Sequence, residues 1–162
     1  HISTGVLFRS EMDEGTELGI KANEYMSRGE LVPDEVTIGM LKNKMLSHAD
    51  AEGFIFDGFP RTAPQAEALD QLLKEMGQQI DALIMLDVPE DEIVKRIVLR
   101  DSNRPDDSDP EIVRKRFQVY QNKTAPIYDY YNEKGIAFKI NGMGSIDDIF
   151  QNLCDTIDSL HV

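Results

Sequence analysis

The sequence is short of cysteine and of positive charge, and it has no long apolar run. A single cysteine, Cys154, among 162 residues leaves no partner for an intrachain disulfide, so a reduced, cytoplasmic setting is expected. Lysine and arginine number 17 against 30 acids, a net charge of −13. That balance repels a polyanionic backbone over most of the surface and argues against nucleic acid as a partner. No apolar stretch reaches the roughly 18 residues of a membrane span, and no basic segment followed by an apolar one opens the chain. Neither a membrane nor a targeting route is expected. Internal repeats and low-complexity linkers are also missing, which leaves one domain of ordinary size. With 41% hydrophobic residues that domain can bury a substantial core.

What is present is an alternation of short apolar runs and longer periodic segments. Gly53–Phe56, Ala82–Leu86 and Ile136–Ile140 read as strands. Helical patterns cover about 16–28, 33–48, 63–76, 89–100, 109–133 and 145–160. Pro33-Asp34-Glu35 and Pro89-Glu90-Asp91-Glu92 place proline and acids in a first turn, and Ser145 with Asp147 and Asp148 starts the last helix. The alternation predicts an α/β fold with a parallel β-sheet flanked by helices. Met40, Met45 and Met76 fall on apolar helical faces and are expected in the core, as is Cys154. Tyr128, Tyr130 and Tyr131 are expected to pack with their hydroxyls near solvent.

Ligands of such folds gather at the carboxyl ends of the strands. Phe56-Asp57-Gly58-Phe59-Pro60-Arg61-Thr62 lies at one of them. Asp57 closes a strand, where its carboxylate could hold Mg²⁺ through water, and Arg61 follows a turn shaped by Gly58 and Pro60 with a guanidinium suited to a phosphate. An ordinary strand-end turn with a solvated arginine fits these residues equally well. At the start, His1-Ile2-Ser3 ends a strand that runs into a helix carrying Arg9. Lys95, Arg96 and Arg100 precede the polar stretch Asp101–Pro110, Arg104 lies in it, and Arg114, Lys115 and Arg116 follow. In an acidic chain this clustering fits a lid closing over phosphates, or a helix face laced with ion pairs.

Taken together and in order, S-T-G-x-x-x-R, G-E-L-V-P-D-E, D-G-F-P-R-T-x-P-Q-A, R-P-D-D with a downstream R-K-R, and N-G-x-G-S-I-D-D-I-F resemble the adenylate kinases. The resemblance runs over essentially the whole chain. It implies a P-loop NTPase-like three-layer fold, with an AMP-binding helical insertion at 3–32 and a short lid at 101–109. Thr4, Gly5, Arg9, Val32, Gly58, Arg61 and Gln65 would line the AMP site, with Arg9 and Arg61 on the phosphate and Gln65 on adenine. Arg100 and Arg104 would meet ATP phosphates, Arg116 (or Arg114) the transferring group, and Gly144 the ATP adenine. Asp106 and Asp107 would act in the lid. Arg61, Arg104 and Arg116 would be the catalytic cations. The implied ligands are ATP, AMP and ADP, with Mg²⁺ accompanying ATP and no structural zinc. The implied reaction is ATP + AMP ⇌ 2 ADP, carried out by a monomer unless a partner segment completes the sheet.

Three features depart from the family pattern. Val6 stands where an aspartate is usual, the stretch from Asp106 to Arg116 is one residue longer than the family spacing, which is why Arg114 stands beside Arg116, and the G-x-x-G-x-G-K loop that cradles ATP phosphates occurs nowhere in these residues. The resemblance therefore implies a central first strand, between the strands near 54–57 and 82–87, that the sequence as given does not contain. Orphaned strand groups cost about 1–3 kcal/mol each, so the two neighbours are expected roughly twice the usual 4.8 Å apart, not paired to each other. Competing readings are a kinase of UMP or CMP, and a nucleotide-binding fragment without catalysis.

Overall fold

A computed structural model describes residues 1–99 and 109–160. Short apolar runs ending in a polar residue form the strands. Ile2–Ser3 (β1) lies parallel to Phe56–Asp57 (β2), with Ile2 opposite Phe56 and Ser3 opposite Asp57. Leu83–Asp87 (β3) lies parallel to Ala137–Asn141 (β4), in register from Leu83 opposite Ala137 to Asp87 opposite Asn141. Parallel neighbours need long crossovers. Between β1 and β2 these are Thr4–Asp13 (α1), Glu17–Met26 (α2) and Asp34–Leu46 (α3). Ala63–Glu75 (α4) joins β2 to β3, and β3 reaches β4 through Glu90–Val98 (α5), Pro110–Val119 (α6) and Ile127–Asn132 (α7). Ile146–Asp158 (α8) follows β4. The architecture is the α/β arrangement of parallel strands flanked by helices that the alternation predicts. β2 and β3 belong to separate two-stranded sheets, so among the described residues there is no direct pairing between them.

The helix starts follow local chemistry. Thr62 accepts a hydrogen bond from the Gln65 N–H, and Ser145 from the Asp148 N–H, satisfying donors that a first turn leaves orphaned. One expected helix is divided. The segment 109–133 is broken into α6, a π-helical turn over Tyr120–Thr124, and α7. Pro126 lacks the N–H that would continue the ladder, and the chain adapts by an i→i+5 bond from Ala125 N to Tyr120 O (2.8 Å).

Three clusters form the core. Ile2, Leu41, Met45, Phe59, Leu69, Leu72 and Leu73 join β1 to α3 and α4, with Met76 packed against them. Phe8, Ala22 and Val32 give residues 3–32 a small core of their own, against which Met40 packs. Ala66, Ile127 and Tyr131 tie α4 to α7. The three methionines are therefore apolar filling. Cys154 is only half-buried, because α8 has no fully buried residue along its length.

Two of the three tyrosines are placed differently from expectation. Tyr130 and Tyr131 donate to the two oxygens of Asp70 (2.7 and 3.2 Å), to which the Lys134 ammonium also donates. Burial first, and then the Asp70 charge, raises the Tyr131 hydroxyl well above the ordinary range, so it stays a donor. Replacing Asp70 by alanine would leave a hydroxyl of the nearly inaccessible Tyr131 without its acceptor. A loss of about 1–3 kcal/mol is expected, read as a lower urea midpoint at unchanged slope; Tyr130→Phe should cost less, because the other donors to Asp70 remain.

Candidate functional site

Two segments 54 residues apart meet at the ends of β1 and β2. The Thr4 hydroxyl, at the first position of α1, donates to the Gly58 carbonyl (2.9 Å). Gly58 is at φ +73, and a Cβ there would lie 2.7 Å from Arg61 Nη2 and 3.2 Å from Thr4 Oγ1. Glycine therefore serves twice, once for the left-handed backbone and once for the close approach of the arginine.

Arg61 is fixed through both backbone and side chain. Its Nε donates to Gly58 O (2.7 Å), its N–H donates to Gln65 Oε1 (2.8 Å), and its carbonyl accepts from Thr124 Oγ1 (2.8 Å) in the π-helical turn. The Phe59–Pro60 peptide between Gly58 and Arg61 is cis. Gln65, 2% exposed, donates from Nε2 to Asp34 Oδ1 on the first turn of α3 (2.8 Å). Arg9, one turn along α1, brings its guanidinium against Gly5: a Cβ at Gly5 would meet Nη1 and Nη2 at 3.2 and 3.3 Å.

Thr4, Gly5, Val32, Gly58, Arg61 and Gln65 line one open cleft. Six of the seven residues expected around one nucleotide thus line one cleft, and Arg9 abuts Gly5 there. Phe8, Met26, Glu30, Leu31 and Thr37 complete the lining; the sequence reading missed them. Phe8 and Met26 are reached only once α1 and α2 pack together, whereas Glu30 and Leu31 lie inside the G-E-L-V segment already singled out.

Glu30 connects this cleft to α6. It accepts from Lys115 Nζ (2.8 Å) and from Arg28 (3.2 Å). The hydrogen bond from Lys115, then that from Arg28, holds its carboxyl below the usual range, so Glu30 is an anion on the rim throughout the neutral range. The neighbouring Gly29 lies so close to α6 that a Cβ would sit 3.0 Å from both Ile112 O and Arg116 Cγ. Arg116 is half-buried there, while Arg114 is exposed.

The remaining expected positions lie elsewhere. Gly144 is exposed in the turn after β4 at φ +118, beside Asp148. In the same turn Arg96 Nη1 donates to Gly142 O (2.9 Å). Arg100, Arg104, Asp106 and Asp107 fall outside the described residues. Asp57 is exposed at the end of β2, with His1 Nε2 3.8 Å away. Among the described residues no three histidines, cysteines or carboxylates gather around one point. Magnesium keeps several waters and takes its other oxygens from substrate phosphates, needing only one or two carboxylates. An exposed carboxylate at a strand end fits that demand. No helix among the described residues is long and apolar enough to cross a membrane.

The chain is similar to known proteins over most of its length. The family model described as adenylate kinase matches residues 1–136. An adenylate kinase of Bacteroides fragilis is 46% identical over 162 residues, spanning 99% of this chain and 85% of the relative. One from Xanthomonas campestris is 45% identical over 94% of this chain and 82% of its own length. An archaeal adenylate kinase, from Archaeoglobus fulgidus, is 42% identical over 94% and 83%.

Proposed function

The chain belongs to the adenylate kinase family, enzymes of nucleoside monophosphate phosphotransfer, and from that premise we propose that it catalyses ATP + AMP ⇌ 2 ADP. The observation that carries this is the cleft at the ends of β1 and β2, where a buried amide at Gln65 and a guanidinium at Arg61 face one space. Such a space suits a ligand with a hydrogen-bonding base and a phosphate. Thr4, Gly5, Arg9, Val32, Gly58, Arg61 and Gln65 take AMP, with Arg9 and Arg61 on its phosphate and Gln65 on adenine. The helical insertion at 3–32 is the acceptor segment and 101–109 the short lid.

The chemistry is a direct displacement. An oxygen of the AMP phosphate forms a bond to the γ-phosphorus of ATP as the bond from that phosphorus to the β–γ bridging oxygen breaks, and ADP leaves. The attacking oxygen is already anionic, so no side-chain base is needed. Catalysis then rests on alignment and on cations around the migrating charge. Arg61 holds the acceptor, Arg116 reaches the transferring group from α6 across the Gly29 contact, and Arg100 and Arg104 neutralise the donor phosphates. Gly144 meets the ATP adenine through its backbone. Mg²⁺ bound with ATP supplies charge neutralisation, and Asp57 would hold it through water. We place the reaction in the cytoplasm, in a monomer.

The test is an acceptor assay on the full-length protein with ATP and magnesium, comparing AMP, UMP and CMP. AMP is expected to have the highest kcat/KM. An equal or higher value for UMP or CMP would replace the adenylate reading by the pyrimidine one, and no transfer to any acceptor would leave a nucleotide-binding protein.

A further inference from the structure

We infer that Asp34, which lines no part of the cleft, is a positioning residue that fixes the orientation of the Gln65 amide and thereby makes the base site reject 6-oxopurines. The inference rests on the placement of adenine at Gln65. A glutamine amide has an acceptor end and a donor end of nearly the same shape, so it can present either pattern to a base unless something prevents its half-turn. Here both ends are held from the protein side. Oε1 accepts from the Arg61 N–H and Nε2 donates to Asp34 Oδ1, each at 2.8 Å. A half-turn would set the NH₂ against an N–H and the oxygen against a carboxylate. Both hydrogen bonds would be replaced by repulsive contacts in a site where Gln65 is 2% exposed and water cannot compensate.

Each amide atom keeps one further hydrogen-bonding position: a lone pair on Oε1 and an N–H on Nε2. Adenine offers the matching pattern, an amino donor at N6 beside a ring-nitrogen acceptor. A 6-oxopurine carries an acceptor oxygen where adenine has its amino group. Against the fixed amide that oxygen would meet Oε1. A freely turning amide could instead donate to it. Discrimination therefore depends on what stops the turn, and Asp34 holds one of the two ends. Its position follows from the sequence: Asp34 opens α3 after Pro33, and α4 starts at the Thr62 cap so that Gln65 faces it across 31 residues.

The experiment measures binding of AMP, inosine 5′-monophosphate and ribose 5-phosphate to the full-length protein by calorimetry. Asp34→Ala should lower the preference for AMP over inosine monophosphate by about tenfold, the loss of one buried hydrogen bond, with ribose 5-phosphate affinity unchanged. Asp34→Ser, too short to reach the amide but well suited to a helix start, should do the same and covers the case of an alanine variant that fails to fold. Asp34→Asn brings an amide that can itself turn and donate to a flipped Gln65 oxygen, so it too should lower the preference. Glu35→Ala removes a neighbouring first-turn acid that does not touch Gln65 and should keep the preference. If Gln65→Leu abolishes the preference while Asp34→Ala and Asp34→Ser leave it at the wild-type value, the inference about Asp34 is wrong and the base site stands. If Gln65→Leu leaves the preference intact, adenine is not read at Gln65 and both fall.

Discussion

Arg61→Ala is expected to lower kcat/KM for the acceptor by roughly a hundredfold to a thousandfold, through a higher KM for AMP and a lower kcat together. The guanidinium is the one group at the Gly58 turn able to form paired charge-assisted bonds to a phosphate. Its Nε is already spent on the Gly58 carbonyl, which aims the outer nitrogens. The contact exists in the ground state, hence the KM effect. It strengthens as charge develops in transfer, hence the kcat effect. The variant should stay folded, because the bonds from Arg61 N to Gln65 and from Thr124 to Arg61 O belong to the backbone and survive truncation. Arg61→Lys should recover only part of the loss, since an ammonium cannot supply the planar fork. The KM for ATP should hardly move. Steady-state kinetics with each nucleotide varied, beside a melting curve, checks all of this. Wild-type acceptor kinetics in Arg61→Ala would remove Arg61 from the site.

The main lines of this site were legible because they follow from short-range rules. An apolar run ending in Asp57, Gly58 and Pro60 dictates a strand and then a turn, so Arg61 had to emerge at a strand end. The same holds for Ser3, Thr4 and Gly5 at the β1–α1 junction. What was not legible depends on pairs far apart in sequence. Asp34 and Gln65 are 31 residues apart, Thr124 and Arg61 are 63, and Asp70 and Tyr131 are 61. Each member taken singly is an ordinary polar residue in a helix or loop. Only the packing of α3 on α4, or of α7 on α4, turns them into partners. The division of the 109–133 segment lies between these cases. Pro126 was visible, but apolar periodicity ran through it, and the π-helical turn that places Thr124 comes from tertiary fit.

Gly19→Ala has the largest expected cost in stability. Gly19 lies in the first turn of α2 where that helix crosses the end of α1. A Cβ there would sit 2.0 Å from the Glu11 carbonyl oxygen, 2.3 Å from its carbon and 2.5 Å from Met12 N. All three are backbone atoms, so no rotamer change relieves the overlap. Ordinary contact lies near 3.5 Å, so the two helices would have to move apart by an ångström or more. The connection between them resists that movement. Thr16 Oγ1 donates to Glu11 Oε2 (2.6 Å) and accepts from the Gly19 N–H (3.0 Å), and separation would open the small core of Phe8, Ala22 and Val32. A loss of about 2–4 kcal/mol is expected, a large share of the ~5–15 kcal/mol that holds a domain together. In a melting experiment this corresponds to a drop of about 5–15 °C. Since α1 carries Thr4, Gly5 and Arg9, acceptor binding should weaken in the same variant. Gly39→Ala is the matched control. It lies in the interior of α3 with nothing within 4 Å of the added carbon, and it should raise stability by about 0.5–1 kcal/mol by removing glycine's extra chain entropy. Equal melting temperatures for the two variants would mean that the close approach of α1 and α2 is not what fixes the acceptor segment.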